Sequence, residues 1–72
     1  MRWVVKTSLD GRIYDEVSCE GTPTIPEDGA HLLIPVDGRY VSGVVSEISI
    51  DQNHDPAVLR ITCLNPDAHV KG

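Results

Sequence analysis

The stretch from residue 31 to residue 50 constrains the fold of this chain more than any other. It reads HLLIPVDGRYVSGVVSEISI, which is two apolar runs separated by Asp37 and Gly38. Apolar runs rich in valine and isoleucine, joined by an Asp-Gly pair, are typical of a β-hairpin. We therefore expect a long hairpin in the middle of a small β-sheet.

Three further segments, at residues 1–9, 12–19 and 57–64, are also predicted to be strands, since side chains in a strand alternate between two faces. The predicted inward residues are odd-numbered before residue 20, even-numbered from 30 to 50, and odd-numbered again after 56. These core positions are Trp3, Val5, Thr7, Leu9, Ile13, Val17, Cys19, Ala30, Leu32, Ile34, Val36, Tyr40, Val44, Ile48, Ile50, Ala57, Leu59, Ile61 and Cys63.

Both hairpin turns contain Asp-Gly, in LDGR and VDGR. Residues that oppose each other in a hairpin lie on the same face. When the inward residues of both strands are odd-numbered, or those of both strands are even-numbered, the loop between the strands must contain an odd number of residues. This reasoning predicts three-residue loops, residues 9–11 and 36–38. Gly11 and Gly38 should adopt positive φ in a type I turn followed by a glycine bulge.

The resulting fold class is all-β, a five-stranded antiparallel meander that curls into a small barrel. Gly43, inside the fourth strand, is expected to allow a bend. The order of segments, including the IPEDG approach to the third strand, is similar in outline to SH3-like barrels; this resemblance implies a fold and no functional residue. We expect a single domain over residues 1–64, followed by a short C-terminal turn and tail over 65–72.

Charge and size limit the classes of partner. The chain has 72 residues and a net charge of −5, and its six lysine and arginine residues form no cluster. Nucleic acid and anionic membranes require a concentrated basic patch, so neither is an expected partner. The N-terminal apolar stretch is too short for a signal peptide or membrane span, and we expect a cytoplasmic protein. A core this small favours a homo-oligomer or a protein partner.

The DQNHDP loop is the most metal-like motif, because its first, third and fifth residues carry oxygen ligands as in a calcium loop. Pro56 stands where that loop needs glycine, and Thr62 where it needs glutamate. The residues Asp51, Asn53 and Asp55 are therefore interpreted as a turn, and we predict no metal site.

Groups for catalysis are dispersed along the chain. The sequence has no Gly-x-Ser-x-Gly motif and no glycine-rich phosphate loop, and its two cysteines lack metal-binding spacing. One disulfide between the two cysteines is arithmetically possible, but two isolated cysteines are more typical of buried free thiols. We expect no cofactor and no catalytic residue. The residues considered were His31, His54, His69, Cys19 and Cys63.

Apolar residues on the predicted outward face suggest a different role. Leu33 is expected to oppose Val41 directly, next to Val45, and Tyr14 is expected to pair with Val4 nearer the N-terminus. We interpret Leu33, Val41, Val45 and Tyr14 as a subunit or partner interface. The sequence thus predicts a non-enzymatic domain that acts through protein contacts, including self-association.

Two other functions fit the sequence. One is a small ligand-binding or enzymatic unit with its site at a subunit interface, which clustering of His31 or His54 with acids would favour. The other is an acidic inhibitor that mimics nucleic acid. That function requires one continuous face of acids from Asp15, Glu16, Glu20, Glu27 and Asp28.

Overall fold

A computed structural model describes residues 2–66 as an all-β fold. The strands are β1 (Arg2–Leu9), β2 (Arg12–Glu20), β3 (His31–Val36), β4 (Arg39–Asp51) and β5 (Ala57–Leu64). All five predicted strands are confirmed. Residues 67–72, which include His69 and most of the predicted C-terminal turn, lie outside the described residues.

The strands form one mixed sheet in the order β2-β1-β5-β4-β3. The pairs β1–β2, β3–β4 and β4–β5 are antiparallel, as in the predicted meander, but β2 and β3, which a meander would pair, are not neighbours, and β1 and β5 pair in parallel. The prediction of a purely antiparallel sheet is therefore wrong. Strands of a meander alternate in direction, so the first and fifth run the same way and can only pair in parallel.

The sheet curls into a half-barrel whose open side lies between β2 and β3. These two strands are consecutive in the chain but are not paired, and residues 21–30 connect them. Some Cα atoms of β2 and β3 nevertheless lie within 8 Å of each other. The half-barrel is therefore nearly closed where these strands approach.

Both hairpin turns differ from the prediction. Leu9 pairs with Arg12 and Val36 pairs with Arg39, so each loop has two residues. Both loop residues have positive φ: 52° and 88° at positions 10 and 11, and 50° and 83° at positions 37 and 38. These are type I′ turns, whose twist suits the flanking strands. Only the positive φ of the two glycines was correctly predicted.

The extra residue that the parity argument placed in the turns lies instead within the strands. The β1–β2 register shifts between Thr7 and Ser8, which leaves Tyr14 as a bulged residue. The β4–β5 register shifts at Ser46. A bulge puts two residues opposite one and so reverses which residues face the core.

Several predicted core positions are exposed. Tyr40 is 72% exposed, and Ile13, Val17 and Ile50 are about half exposed. Ile13 opposes Ser8 and lies with it on the outer face. Val17, on edge strand β2, opposes Val5 of β1 and remains on the core face. Val44 pairs with Leu64 on the face opposite the core.

The core lies on the concave inner face of the half-barrel. The alternation predicted for β1 and β5 is confirmed, since Thr7 and the core members from those strands are buried. The Trp3 indole Nε1 has no hydrogen-bond partner among the described residues. The buried apolar residues are Trp3, Leu9, Ile34, Val45, Ala57, Leu59, Ile61 and Cys63.

Gly43 allows the β3–β4 hairpin to pack closely over this core. A Cβ at this position would lie 2.7 Å from Ile34 Cδ1, 3.1 Å from Cys63 Cβ and 3.3 Å from Leu9 Cδ1. The predicted role of Gly43 in curvature thus has a specific cause. The glycine removes the side chain that would hold the hairpin away from β1 and β5.

Candidate interaction surface

The convex outer face carries the most exposed large apolar residues of the described chain. On the β3–β4 hairpin, Leu33 is 71% exposed and Tyr40 is 72% exposed. Leu33 pairs with Ser42, and Pro35 pairs with Tyr40. Leu33 and Tyr40 are therefore diagonal neighbours on one face, a separation that an aromatic side chain can bridge.

This apolar area continues across two strand boundaries. His31 pairs with Val44, and Val44 pairs in turn with Leu64, which is 40% exposed. The surface is continuous because paired residues share a face. We name it the hairpin patch, and it consists of Leu33, Pro35, Tyr40, Val44 and Leu64.

Charge is segregated on the outer face. The strand positions around the hairpin patch, His31 and Ser42, add no Asp, Glu, Lys or Arg. Asp28 lines a cleft together with Val44 and Leu64, so an acid borders the patch there. The charged residues that the register places on this face lie outside the patch, and Glu47 is next to Val44 and Leu64. These charged residues are Arg2, Lys6, Glu16, Glu20, Glu47, Asp51 and Arg60.

The free edges of the sheet are poorly suited to adding another strand. Val36 and Arg39 flank a two-residue loop, so the even-numbered residues of β3 bond to β4 and the odd-numbered backbone groups point outward. Pro35 is at an outward position and has no N–H to donate. On the other edge, β2 carries Glu16 and Glu20, and acidic side chains on an edge strand oppose pairing. The hairpin patch is thus better placed for contact than either edge.

The structure separates the four residues predicted to form an interface. Leu33 is on the outer face as expected. Val45 is 1% exposed within the core, and Val41 and Tyr14 are half-buried against it. Leu33 opposes Ser42 rather than Val41. The outward positions assigned to Val41, Val45 and Tyr14 are therefore wrong. Val41 and Val45 precede the bulge at Ser46, and Tyr14 is itself the bulged residue of β2.

Sequence reasoning missed Tyr40, Val44 and Leu64 as surface neighbours of Leu33. Tyr40 and Val44 had been assigned to the core. A signal was present, because two-residue turns are the commonest for Asp-Gly hairpins. Such a turn at residues 37–38 would have put Tyr40 on the face of Leu33.

The DQNHDP loop forms a turn. The Asn53 backbone N–H donates to Asp51 Oδ1 over 3.0 Å, and His54 Nε2 lies 3.3 Å from Asp51 Oδ2. An aspartate that bonds the backbone two residues ahead is typical of turns. No group of three or more potential metal-ligating side chains occurs within the described part of the chain.

The cysteines at positions 19 and 63 are both free thiols. Cys63 is fully buried, and its burial raises the pKa of the thiol, which disfavours the reactive thiolate. The Cys19 Sγ lies 3.9 Å from the Gly21 carbonyl oxygen. The geometry therefore gives Cys63 a packing role.

The acidic residues do not share one sheet face. Asp15 opposes Thr7 and Glu16 opposes Lys6, so these two neighbouring acids point to opposite sides. This arrangement does not favour the continuous acidic face that a nucleic-acid mimic requires.

Clefts on the described surface are small or open. A depression of about 490 Å³ is lined only by the consecutive residues 25–30. A cleft of about 250 Å³ adjoins the hairpin patch at Val44 and Leu64. Small-molecule pockets usually enclose roughly 300–1,000 Å³ between several elements.

No protein-family model matches the chain, and comparisons with curated proteins and with solved structures also find no match. Residues 2–66 contain no helix with the length and apolar character of a membrane span. The functional interpretation therefore depends on the geometry of the surface.

Proposed function

We propose that this chain is a non-enzymatic β domain that acts through protein contacts and self-associates through the hairpin patch. The observation that carries the proposal is the adjacency of Leu33 and Tyr40, both more than two-thirds exposed on the outer face. Contiguous apolar surface bordered by polar residues is typical of contact sites.

A second copy of the chain is the partner that we propose for the hairpin patch. Each copy has a net charge of −5, so two copies repel each other over most of their surface. The hairpin patch itself contains no charged residue, so contact there opposes fewer like charges than contact elsewhere on the outer face. A two-fold interface would place Leu33 and Tyr40 of one copy against the same residues of the other.

The energetics suggest moderate affinity. Full burial of a leucine-sized side chain contributes about 1.5–3 kcal/mol. Association costs an estimated 4–15 kcal/mol in lost freedom of motion. Four large side chains, two from each copy, contribute about 6–12 kcal/mol at full burial, which is comparable to that cost. We expect a dimer that dissociates on dilution.

Sedimentation equilibrium of wild type, Leu33→Glu and Ile13→Glu tests the proposal. Ile13 is a matched control because it is 50% exposed on the outer face of the other hairpin and the substitution adds the same charge. Wild type and Ile13→Glu should self-associate, whereas Leu33→Glu should be monomeric. Circular dichroism establishes that each variant is folded.

Two results would contradict the proposal. One is a wild type that is monomeric at every concentration tested. The other is equal loss of association in the two glutamate variants, which would indicate a general effect of charge rather than contact at the hairpin patch.

A further inference from the structure

We infer that the outer face also contains an oxyanion-binding cleft, built by the parallel pairing of β1 and β5, whose ligand is a phosphate group. The register pairs Lys6 with Arg60 and Ser8 with Thr62. These two cations and two hydroxyl-bearing residues, with Gly11 and Ile13, line a cleft of about 260 Å³. This cleft is on the charged half of the outer face and is independent of the hairpin patch.

The two cations make no close ion pair within the described part of the chain. Glu16 pairs with Lys6, and Glu47 pairs with Thr62, so both acids lie next to the cleft. Even so, the ion pairs within 4.0 Å among the described residues are Arg2 with Glu20 and His54 with Asp51. Neither includes Lys6 or Arg60. Like charges that face each other on a sheet are destabilising. A bound anion would remove that repulsion.

The donors of the cleft match the chemistry of a phosphate group. The Arg60 guanidinium can bind two oxygens at once, and the Lys6 ammonium supplies a compact positive charge. The Ser46 Oγ donates to the Thr62 backbone carbonyl, and the Thr62 side-chain hydroxyl makes no hydrogen bond within the described residues. The Ser8 Oγ makes only a long bond of 3.4 Å to the Ile61 carbonyl and can rotate toward an anion.

Charge and shape favour phosphate over a carboxylate. A phosphate group carries a charge of about −1.5 to −2 at neutral pH, and its oxygens are strong acceptors. One such group can engage both cations and a hydroxyl together. Acetate has a single charge and two oxygens, so it should bind more weakly.

The test uses inorganic phosphate and follows the melting temperature and the backbone amide NMR shifts. Sodium chloride of equal ionic strength is one comparison, and sodium acetate is another. Phosphate should raise the melting temperature above both, because a ligand that binds only the folded state stabilises it. The amides of residues 6, 8, 60 and 62 should shift in a saturable manner.

The variants Lys6→Gln and Arg60→Gln separate binding from general salt effects. Each should weaken phosphate binding by about tenfold, the change expected from loss of one charged contact. Arg39→Gln is the matched control, an exposed arginine at the far hairpin turn, and should leave phosphate binding unchanged.

Three outcomes would overturn the inference. They are equal stabilisation by phosphate and by chloride, amide shifts spread over the surface without saturation, and an effect of Arg39→Gln as large as that of Arg60→Gln. None of these outcomes bears on self-association through the hairpin patch.

Discussion

The Cδ1 atom of Ile34 occupies space that a side chain on Gly43 would need, since a Cβ there would lie only 2.7 Å from it. Ile34 is 1% exposed, so its side chain is enclosed by the core. Cys63 of β5 and Leu9 of β1 bound the same space, and this close packing joins the β3–β4 hairpin to the core of the half-barrel. It also places the outer side of the hairpin, with Leu33 and Tyr40, in a fixed position.

We predict that Gly43→Ala destabilises the fold by about 1–3 kcal/mol, the usual cost of overpacking a core. The measurement is urea unfolding followed by circular dichroism. Ile34→Val alone should cost about 0.5–1.5 kcal/mol. Because valine lacks the Cδ1 atom, the double variant should lose less stability than the sum of the two. Strict additivity would contradict the packing described here.

A second prediction concerns the type I′ turn at residues 37–38. Gly38→Ala should cost about 1–2 kcal/mol, because alanine is strained at the positive φ of this position. Asp37→Asn should keep stability or raise it slightly, since Asn-Gly favours this turn. Ser42→Ala, at an exposed site on the same hairpin, is the control for urea unfolding. A Gly38→Ala variant as stable as this control would indicate a different turn.

The face assignments lead to a third prediction. Val45→Ala should cost about 2 kcal/mol because the side chain is buried in the core, whereas Leu33→Ala should stay within about 0.5 kcal/mol of wild type. Urea unfolding at a protein concentration low enough to avoid self-association gives both values. Equal losses would contradict the assignment of Val45 to the core face and Leu33 to the outer face.

The sequence was sufficient to predict the strands but not how they pair. Alternating apolar residues in β1 and β5 identified the buried side chains, because no bulge occurs within the β1–β5 pairing. In β2 and β4 a single bulged residue, Tyr14 or Ser46, reversed the faces, and the sequence does not mark either position. The odd and even pattern correctly indicated one extra residue in each region. The prediction placed these residues in the two turns, whereas they are Tyr14 in β2 and Ser46 in β4.

The candidate surface was predictable only in part. Leu33 could be assigned to the outer face because β3 has no bulge. Its neighbours Tyr40 and Val44 could not, since their faces depend on the turn and on the shift at Ser46. The pairing of Lys6 with Arg60 was likewise unpredicted, because it arises from the parallel contact between two strands far apart in the sequence.

A fourth prediction follows from the buried thiol of Cys63. Burial raises the pKa of this thiol above its ordinary value of 9.0. As pH rises through 9.0, the thiol ionises in the unfolded chain but stays protonated in the fold, so the free energy of unfolding falls. The slope contributed by this group approaches about 1.4 kcal/mol per pH unit until the folded pKa is reached.

Urea unfolding of wild type and Cys63→Ala between about pH 7 and 10 measures this contribution. Both pH limits lie within about two units of the ordinary pKa of the thiol. Wild type should lose stability more steeply than the variant above pH 9.0. Parallel curves would contradict the prediction. If Cys63→Ala does not fold, thiol labelling of the native protein provides the test, and Cys19 should react before Cys63.

Amide NMR spectra of the wild type over a dilution series test self-association through the hairpin patch most directly. Our account predicts that the signals of Leu33, Tyr40, Val44 and Leu64 shift with concentration and reach a plateau. The signals of Val4 and Val58, on the same face but distant from the hairpin, should stay constant. Spectra that do not change with concentration, or changes confined to the charged half of the outer face, would contradict it.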